Sequence, residues 1–123
     1  MATRNTFNRA TKSSISTNSS TPSTIYTVTS GETSIITGCL VSNKGSNQAL
    51  VSVYIDTDIS NEDDAFLCYN LQVPANGAVE LSLGKIVIKH DGSGGDVVKA
   101  YSDGISDCDI ILSILENVNQ ATT

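Results

Sequence analysis

Short runs of β-branched and other apolar residues, separated by turn residues, recur at intervals of about ten residues from position 24 onward, which is typical of a β-sandwich or barrel. Within QALVSVYID (48–56) the residues alternate with a period of two, which places Tyr54 on the opposite side of a strand from Val51 and Val53. Eight strands are predicted in this way, at 24–28, 34–43, 48–56, 65–73, 78–83, 85–89, 96–102 and 105–116.

Glycine, proline and asparagine mark the connections between these runs. Gly38 interrupts an apolar stretch and predicts a β-bulge. The segments KGSN (44–47) and Asp-Gly (103–104) are hairpin signals. In PANG (74–77) proline fixes one φ angle, and the glycine suits a residue with positive φ. These turns favour antiparallel neighbours.

The run ISDCDIILSILE (105–116) fits either a strand or a helix. Cys108, Ile110, Leu112 and Ile114 share one side of a strand, whereas a helix would group different apolar residues. The run follows an Asp-Gly turn and is rich in isoleucine, so we predict a strand that is buried on both faces.

Eight short strands in about ninety residues are enough for two packed sheets. We therefore predict an all-β fold, a compact antiparallel β-sandwich with an extended N-terminal arm. A chain of 123 residues holds one such domain. The expected divisions are a polar, basic arm (1–22), the sandwich body (23–116) and a polar C-terminal tail (117–123) that frays.

The N-terminal arm is rich in serine, threonine and asparagine and has no hydrophobic rhythm. It cannot bury enough surface to offset its own ordering entropy, so we expect it to become ordered only against a neighbouring subunit. Its three basic residues give it a charge of +3, while the rest of the chain has four lysines and thirteen acids, 4 − 13 = −9. An acidic body repels phosphate backbones, so nucleic acid is not an expected partner. The predicted partner-binding residues of the arm are Arg4, Phe7, Arg9, Lys12 and Ile15.

The three cysteines, Cys39, Cys68 and Cys108, are far apart and fit neither a disulfide framework nor a zinc site. We interpret them as small buried hydrophobic residues. No window is apolar enough for a membrane span, and the N-terminus lacks the apolar region of a secretory signal. We expect the protein to be made in the cytoplasm, where it stays or from which it leaves by lysis, and we expect no membrane partner.

Few residues suggest chemistry. The acidic loop 56–64 has the oxygens that calcium prefers but not the EF-hand spacing, so a solvated or partner-facing loop is the favoured interpretation over a calcium site. His90 is predicted to lie in a surface turn. The four tyrosines are expected to pack in the core or an interface, with sugar stacking as the alternative. No catalytic, cofactor-binding or metal-binding residue is predicted, and the chain is not expected to be an enzyme.

The order of strands and turns resembles that of small β-sandwich structural proteins of tailed bacteriophages. The resemblance covers the body and lies in turn and strand devices rather than in a catalytic site. The residues that carry it are Tyr26, Val28, Gly31, Thr33 and Ile35; Asn43 and Asn47; Val73, Pro74, Ala75 and Gly77; Gly95 and Asp96; and Ile110 to Leu115.

This resemblance implies a non-enzymatic virion component that binds other virion proteins of the capsid, neck or tail through its arm and sandwich surface, and that forms a homo-oligomer. A capsid decoration or cement role is the first expectation, and a neck or tail accessory role is the next. The alternative from another class is a carbohydrate-binding or host-recognition module.

Overall fold

Nine strands in two sheets make up the part of the chain that the structure describes, which is residues 6–81, 84–104 and 107–118 of a computed structural model. The all-β prediction is confirmed, because these residues contain no helix and every strand pair is antiparallel. The strands are β1 (Thr6–Lys12), β2 (Ser23–Thr27), β3 (Thr33–Asn43), β4 (Ala49–Thr57), β5 (Ala65–Val73), β6 (Ala78–Leu81), β7 (Ile86–Lys89), β8 (Asp96–Ser102) and β9 (Cys108–Glu116).

The strands form two sheets, which we call the front sheet and the back sheet. The front sheet has the order β1-β9-β3-β6, with β7 also paired to β3, and the back sheet has the order β2-β8-β4-β5. The pairing is nested along the chain: β1 with β9, β2 with β8, β3 with β6 and β7, and β4 with β5. A nested antiparallel ribbon that is folded over into two sheets is the jelly-roll form of the β-sandwich.

Alternation along β9 shows how the core is built. Ile110, Leu112 and Ile114 are buried, while Ile111 and Ser113 between them are exposed. The final run is therefore a strand, as predicted, but the prediction that both of its faces are buried is wrong, because Ile111 and Ser113 lie on the outer side of the sheet. The other fully buried apolar side chains come from both sheets and include Val28, Ile36, Val41, Val51, Val53, Val73, Ile88 and Val98.

The buried amide of Asn43 ties two turns of the sandwich together. Its Nδ2 donates to the carbonyl oxygens of Asn47 at 2.7 Å and Val73 at 3.2 Å. Its Oδ1 accepts from the backbone N–H of Gly45 at 2.8 Å. Since a buried amide is costly unless it is bonded, these contacts fix the 44–47 turn against the end of β5.

Two glycine predictions have different outcomes. Gly38 lies at a register shift between β3 and β9, which confirms the predicted bulge. In PANG, however, the residue with positive φ is Asn76 (φ 59°), not Gly77. Gly77 is required for space instead, because a Cβ atom there would lie 2.9 Å from Cγ of Pro74.

The N-terminus differs most from the prediction. Residues 6–12 are not a free arm but strand β1, paired with β9 of the same chain from Thr6↔Glu116 to Lys12↔Ile110. Beyond the strand, Ile15 is 3% exposed and belongs to the core, and its N–H donates to the carbonyl of Cys108 at 2.8 Å. Backbone hydrogen bonds to β9 order this segment, and the stabilisation that they provide does not depend on how polar the side chains are.

We predict that Ile15→Ala lowers the free energy of unfolding by about 2–4 kcal/mol, because it removes buried methyl and methylene groups and leaves a cavity. Denaturant titration followed by circular dichroism measures this change. Thr17→Ala, at an exposed position two residues away, is the matched control and should alter stability by no more than about 0.5 kcal/mol. Equal stability of both variants would show that the segment is not packed on the core.

Candidate binding surfaces

The five predicted arm residues have different positions. Arg4 lies outside the described residues. Phe7 and Arg9 lie opposite Leu115 and Ser113 on the outer side of the front sheet, and Lys12 is exposed on the same edge strand. Ile15 is buried in its own core, so its assignment as a partner-binding residue is corrected.

A row of apolar side chains crosses the outer side of the front sheet. Phe7 of β1 lies opposite Leu115 of β9, Leu115 lies opposite Ile35 of β3, and Ile35 lies opposite Val87 of β7. Residues directly opposite each other in a sheet share a face, so each of these four side chains lies beside the next one in the row. Phe7 is 80% exposed and Val87 is 57% exposed, whereas the two central members are partly buried.

A second apolar row lies further along the same strands. Leu40 of β3 pairs with Ile111 of β9, and both are partly exposed. Between the rows, Gly38 pairs with Ser113, so the middle of the face carries only small groups. We call the six apolar residues of the two rows the front face: Phe7, Ile35, Leu40, Val87, Ile111 and Leu115.

Charged side chains on this side of the sheet surround the two rows: Lys89 lies two positions after Val87 on β7, and Asp109 lies two positions before Ile111 at the start of β9, where it pairs with Lys44. Arg9 lies on β1 at one edge, and Glu80, opposite Leu40, lies on β6 at the other. An open depression of about 330 Å³ beside β1 is lined by Phe7, Asn8 and Arg9. An apolar, uncharged centre with charges at the rim is the usual composition of a protein–protein interface.

The outer side of the back sheet carries a cluster of aromatic rings. The ring centroids of Tyr54 and Phe66 are 5.2 Å apart, those of Phe66 and Tyr69 are 5.1 Å apart, and those of Tyr54 and Tyr101 are 6.4 Å apart. Phe66 is 50% exposed and Tyr69 is 65% exposed. We call these four residues the aromatic patch. Three of the four tyrosines therefore lie on a surface and not in the core.

Irregularities in edge strand β5 orient two rings of the patch. The register shifts twice between β4 and β5, so that β5 has two more residues than the part of β4 it faces. At one shift Asn70 has φ 52°, and its N–H donates to Oγ of Ser52 at 3.0 Å. Bulges redirect side chains, and here Phe66 and Tyr69 both lie outward although they are three positions apart.

An ion pair borders the aromatic patch. Nζ of Lys99 lies 2.6 Å from Oδ2 of Asp56, and Lys99 is opposite Tyr54 in the β4–β8 pairing. The hydrogen bond with Asp56 raises the pKa of Lys99. Burial raises the pKa of Tyr54; the Lys99 ammonium opposes this rise, and the nearby Asp56 and Asp64 carboxylates add to it. The rim of the patch is therefore polar and acidic.

The acidic loop makes internal contacts. Besides the Asp56 ion pair, Oδ1 of Asp64 accepts from the backbone N–H of Thr57 at 2.8 Å, and Glu62 pairs with Lys89 at 3.1 Å. Within 6–81, 84–104 and 107–118, no group of three or more histidine, cysteine, aspartate or glutamate side chains could hold a metal ion.

The single histidine and the cysteines have structural environments. His90 begins a turn, and its Nδ1 accepts from the N–H of Gly92 at 3.0 Å. Cys39 and Cys108 are buried, as predicted, while Cys68 is partly buried. Burial raises the pKa of Cys39 to about 12 and also raises the pKa of Cys68, so neither thiol is activated as a nucleophile.

Comparison of the chain with protein-family models, with curated proteins and with solved structures finds no match. In the described part of the chain, no helix has the length and apolar character needed to cross a bilayer.

The fourth tyrosine connects the two sheets. The hydroxyl of Tyr26 on β2 donates to the Glu116 carboxylate on β9. Burial, followed by this bond and charge, raises the pKa of Tyr26 to about 12. The folded state thus retains the tyrosine proton more tightly than the unfolded state does.

We predict that the stability contributed by this bond is complete below pH 10, where an unfolded tyrosine is protonated, and is lost as the pH rises through about 12. Spectrophotometric titration of tyrosinate should show a late-ionising residue that disappears in Tyr26→Phe and ionises earlier in Glu116→Gln. In Tyr54→Phe, the control, the late step should remain. A late step that persists in Tyr26→Phe would contradict the assignment.

Proposed function

We propose that this protein is a non-enzymatic structural component of a bacteriophage virion that assembles with further copies of itself through the front face. The observation that carries the proposal is the pair of apolar rows across the outer side of the front sheet. Phe7 and Val87 at its ends are more than half exposed, and the row between them is continuous. Such a face is stabilised when a partner removes it from water.

A second copy of the chain is the occupant that the charges favour. The chain has a net charge of −6, so two copies approach most easily through a surface without acidic groups at its centre. If two front faces pack about a twofold axis parallel to the strands, the β1 margin of one copy lies against the β6 margin of the other. Arg9 then faces the side that carries Glu80, which gives a self-complementary interface.

The jelly-roll topology supports the virion setting, because viral capsid domains use it, although lectin domains do so too. The order of turns and strands, which resembles that of small phage structural proteins, favours the capsid setting. A fold alone does not assign a function, so the location must be tested on particles. Capsid decoration or cement is the first candidate role, and a neck or tail accessory role is the second.

We predict that Phe7→Glu combined with Val87→Glu weakens self-association by at least about thirtyfold, because it introduces like charges into the apolar row. Sedimentation velocity and native mass spectrometry over a concentration series measure the effect. Phe66→Glu combined with Tyr69→Glu, which puts the same two charges on exposed rings of the back sheet, is the matched control and should leave the oligomer intact. A monomeric wild-type protein, or equal effects of both changes, would contradict the proposed interface.

A charge exchange tests the orientation of the two copies. Arg9→Glu alone should weaken association by about tenfold, because it places an acid against the Glu80 margin. Adding Glu80→Arg should restore association, because the opposite charges then face each other in reversed positions. Additive losses in the double variant would exclude this twofold arrangement while leaving the apolar interface in place.

The virion setting predicts that the protein purifies with particles of the phage that carries this coding sequence. Quantitative mass spectrometry of such particles should find a fixed number of copies for each major capsid protein. Immunogold labelling then separates a capsid position from a neck or tail position. Recovery only from the particle-free lysate would contradict the proposal.

A further inference from the structure

We propose that the aromatic patch on the back sheet is a binding site for a neutral sugar ring. The site lies on the opposite side of the sandwich from the front face and does not depend on the proposed assembly. It rests on the exposure of Phe66 and Tyr69, on the backbone irregularities that orient them, and on the polar pair beside them.

The rings form a corner and not a flat platform. The planes of Phe66 and Tyr69 meet at 82°, with centroids 5.1 Å apart. The ring of Tyr54 is tilted by 40° from Phe66 and by 67° from Tyr101. A pyranose has one face of C–H groups that stacks on an aromatic ring, and a corner holds one such ring against two walls. This geometry favours a single residue or chain end over an extended crystalline polysaccharide, which needs coplanar rings.

The surroundings supply the polar half of a sugar site. Asp56 and Lys99 place a carboxylate and an ammonium next to Tyr54, and together they can accept and donate hydrogen bonds to neighbouring hydroxyl groups. An aromatic wall with a few polar groups that fix orientation is the usual composition of a small-molecule site.

Charge determines which sugars fit. Beside Tyr54 the Lys99 ammonium offsets one of the two nearby carboxylates, Asp56 and Asp64, and the sequence after residue 22 has a net charge of −9, thirteen acids against four lysines. Sialic acids, uronic acids and phosphorylated sugars would be repelled by this field. Neutral hexoses, deoxyhexoses and N-acetylhexosamines are therefore the predicted class.

β5 is an edge strand, where bulges are common and disfavour edge-to-edge pairing with another chain. A regular β5 would pair fully with β4, yet the strand has two extra residues, and Asn70 adopts the left-handed conformation. Large aromatic rings left half exposed do not contribute their full hydrophobic stabilisation. A ligand that covers Phe66 and Tyr69 would complete the burial of the two rings that these bulges turn outward.

The test uses the full-length protein on an array of neutral and anionic glycans, followed by ¹H–¹³C NMR titration with the soluble neutral oligosaccharides that bind. We expect neutral sugars to shift the ring signals of Phe66 and Tyr69. Tyr69→Ala and, independently, Phe66→Ala should each weaken binding by at least about tenfold. Tyr69→Phe, which keeps the ring, should retain most of the affinity.

Phe7→Ala is the matched control, because it removes an aromatic ring that is 80% exposed on the opposite sheet. It should leave the NMR-measured affinity for each site unchanged whatever its effect on assembly. The circular dichroism spectrum and unfolding midpoint of each variant show whether the sandwich is intact.

Three results would overturn the proposal. One is the absence of array binding and of ring shifts at sugar concentrations up to about 10 mM. Another is binding that is unaffected by both ring deletions in folded variants. The third is a preference for anionic glycans, or for proline-rich peptides tested in the same titration, since aromatic surfaces also bind polyproline segments.

Discussion

The backbone of β9 imposes the constraint on which the rest of the structure depends. This strand supplies Ile110, Leu112 and Ile114 to the core and lies between β3 and β1. Its N–H and C=O groups on the β1 side need partners or water, and an open edge beside so apolar a strand would be a template for aggregation. Residues 6–12 provide those partners, although their own side chains are almost all exposed. The N-terminal segment is thus a structural strand whose stability comes from backbone pairing and from the anchor at Ile15.

The pairing of β1 with β9 also determines which side chains lie on the outer side of the front sheet. Because β1 is held in register on β9, Phe7 and Arg9 are fixed on the front sheet and extend an apolar row that would otherwise end at Leu115. Truncating the N-terminal segment would therefore remove part of the sandwich as well as part of the front face. A loss of partner binding in such a truncation could not be separated from a loss of stability, which is why single surface substitutions are more informative.

The positions of eight strands could be predicted from alternation and turn residues, but the hairpin predictions at 44–47 and 103–104 were wrong, because these connections join strands of opposite sheets. Local turn residues do not show whether the next strand pairs with the previous one or crosses to the other sheet. β1 could not be predicted, because Thr6–Lys12 has no buried side of its own and backbone complementarity is not visible in a hydrophobic pattern. Only part of the aromatic patch could be predicted from the sequence. The alternation in 48–56 separates Tyr54 from Val51 and Val53 and so already directs it outward, but the two extra residues of β5 appear only in the pairing register. Likewise, the Pro-Ala-Asn-Gly sequence predicted a turn, but only the structure shows that Asn76 has the positive φ and that Gly77 is needed because Pro74 leaves no room for a Cβ atom.

The two proposed surfaces lie on opposite sheets, and this arrangement has a functional consequence. If front faces pair, each back sheet remains uncovered, so each pair carries two aromatic patches that face away from the interface in opposite directions. A corner that holds one sugar ring gives weak affinity by itself, because few atoms make contact and a neutral ligand gains nothing from charge. Several such corners on one particle would raise the overall avidity by about 10²–10⁴ without any new contact, provided that their spacing matches the glycans on the target. Weak sugar binding at single sites and assembly through the opposite sheet are therefore compatible. The jelly roll accommodates both because its two sheets have separate outer faces.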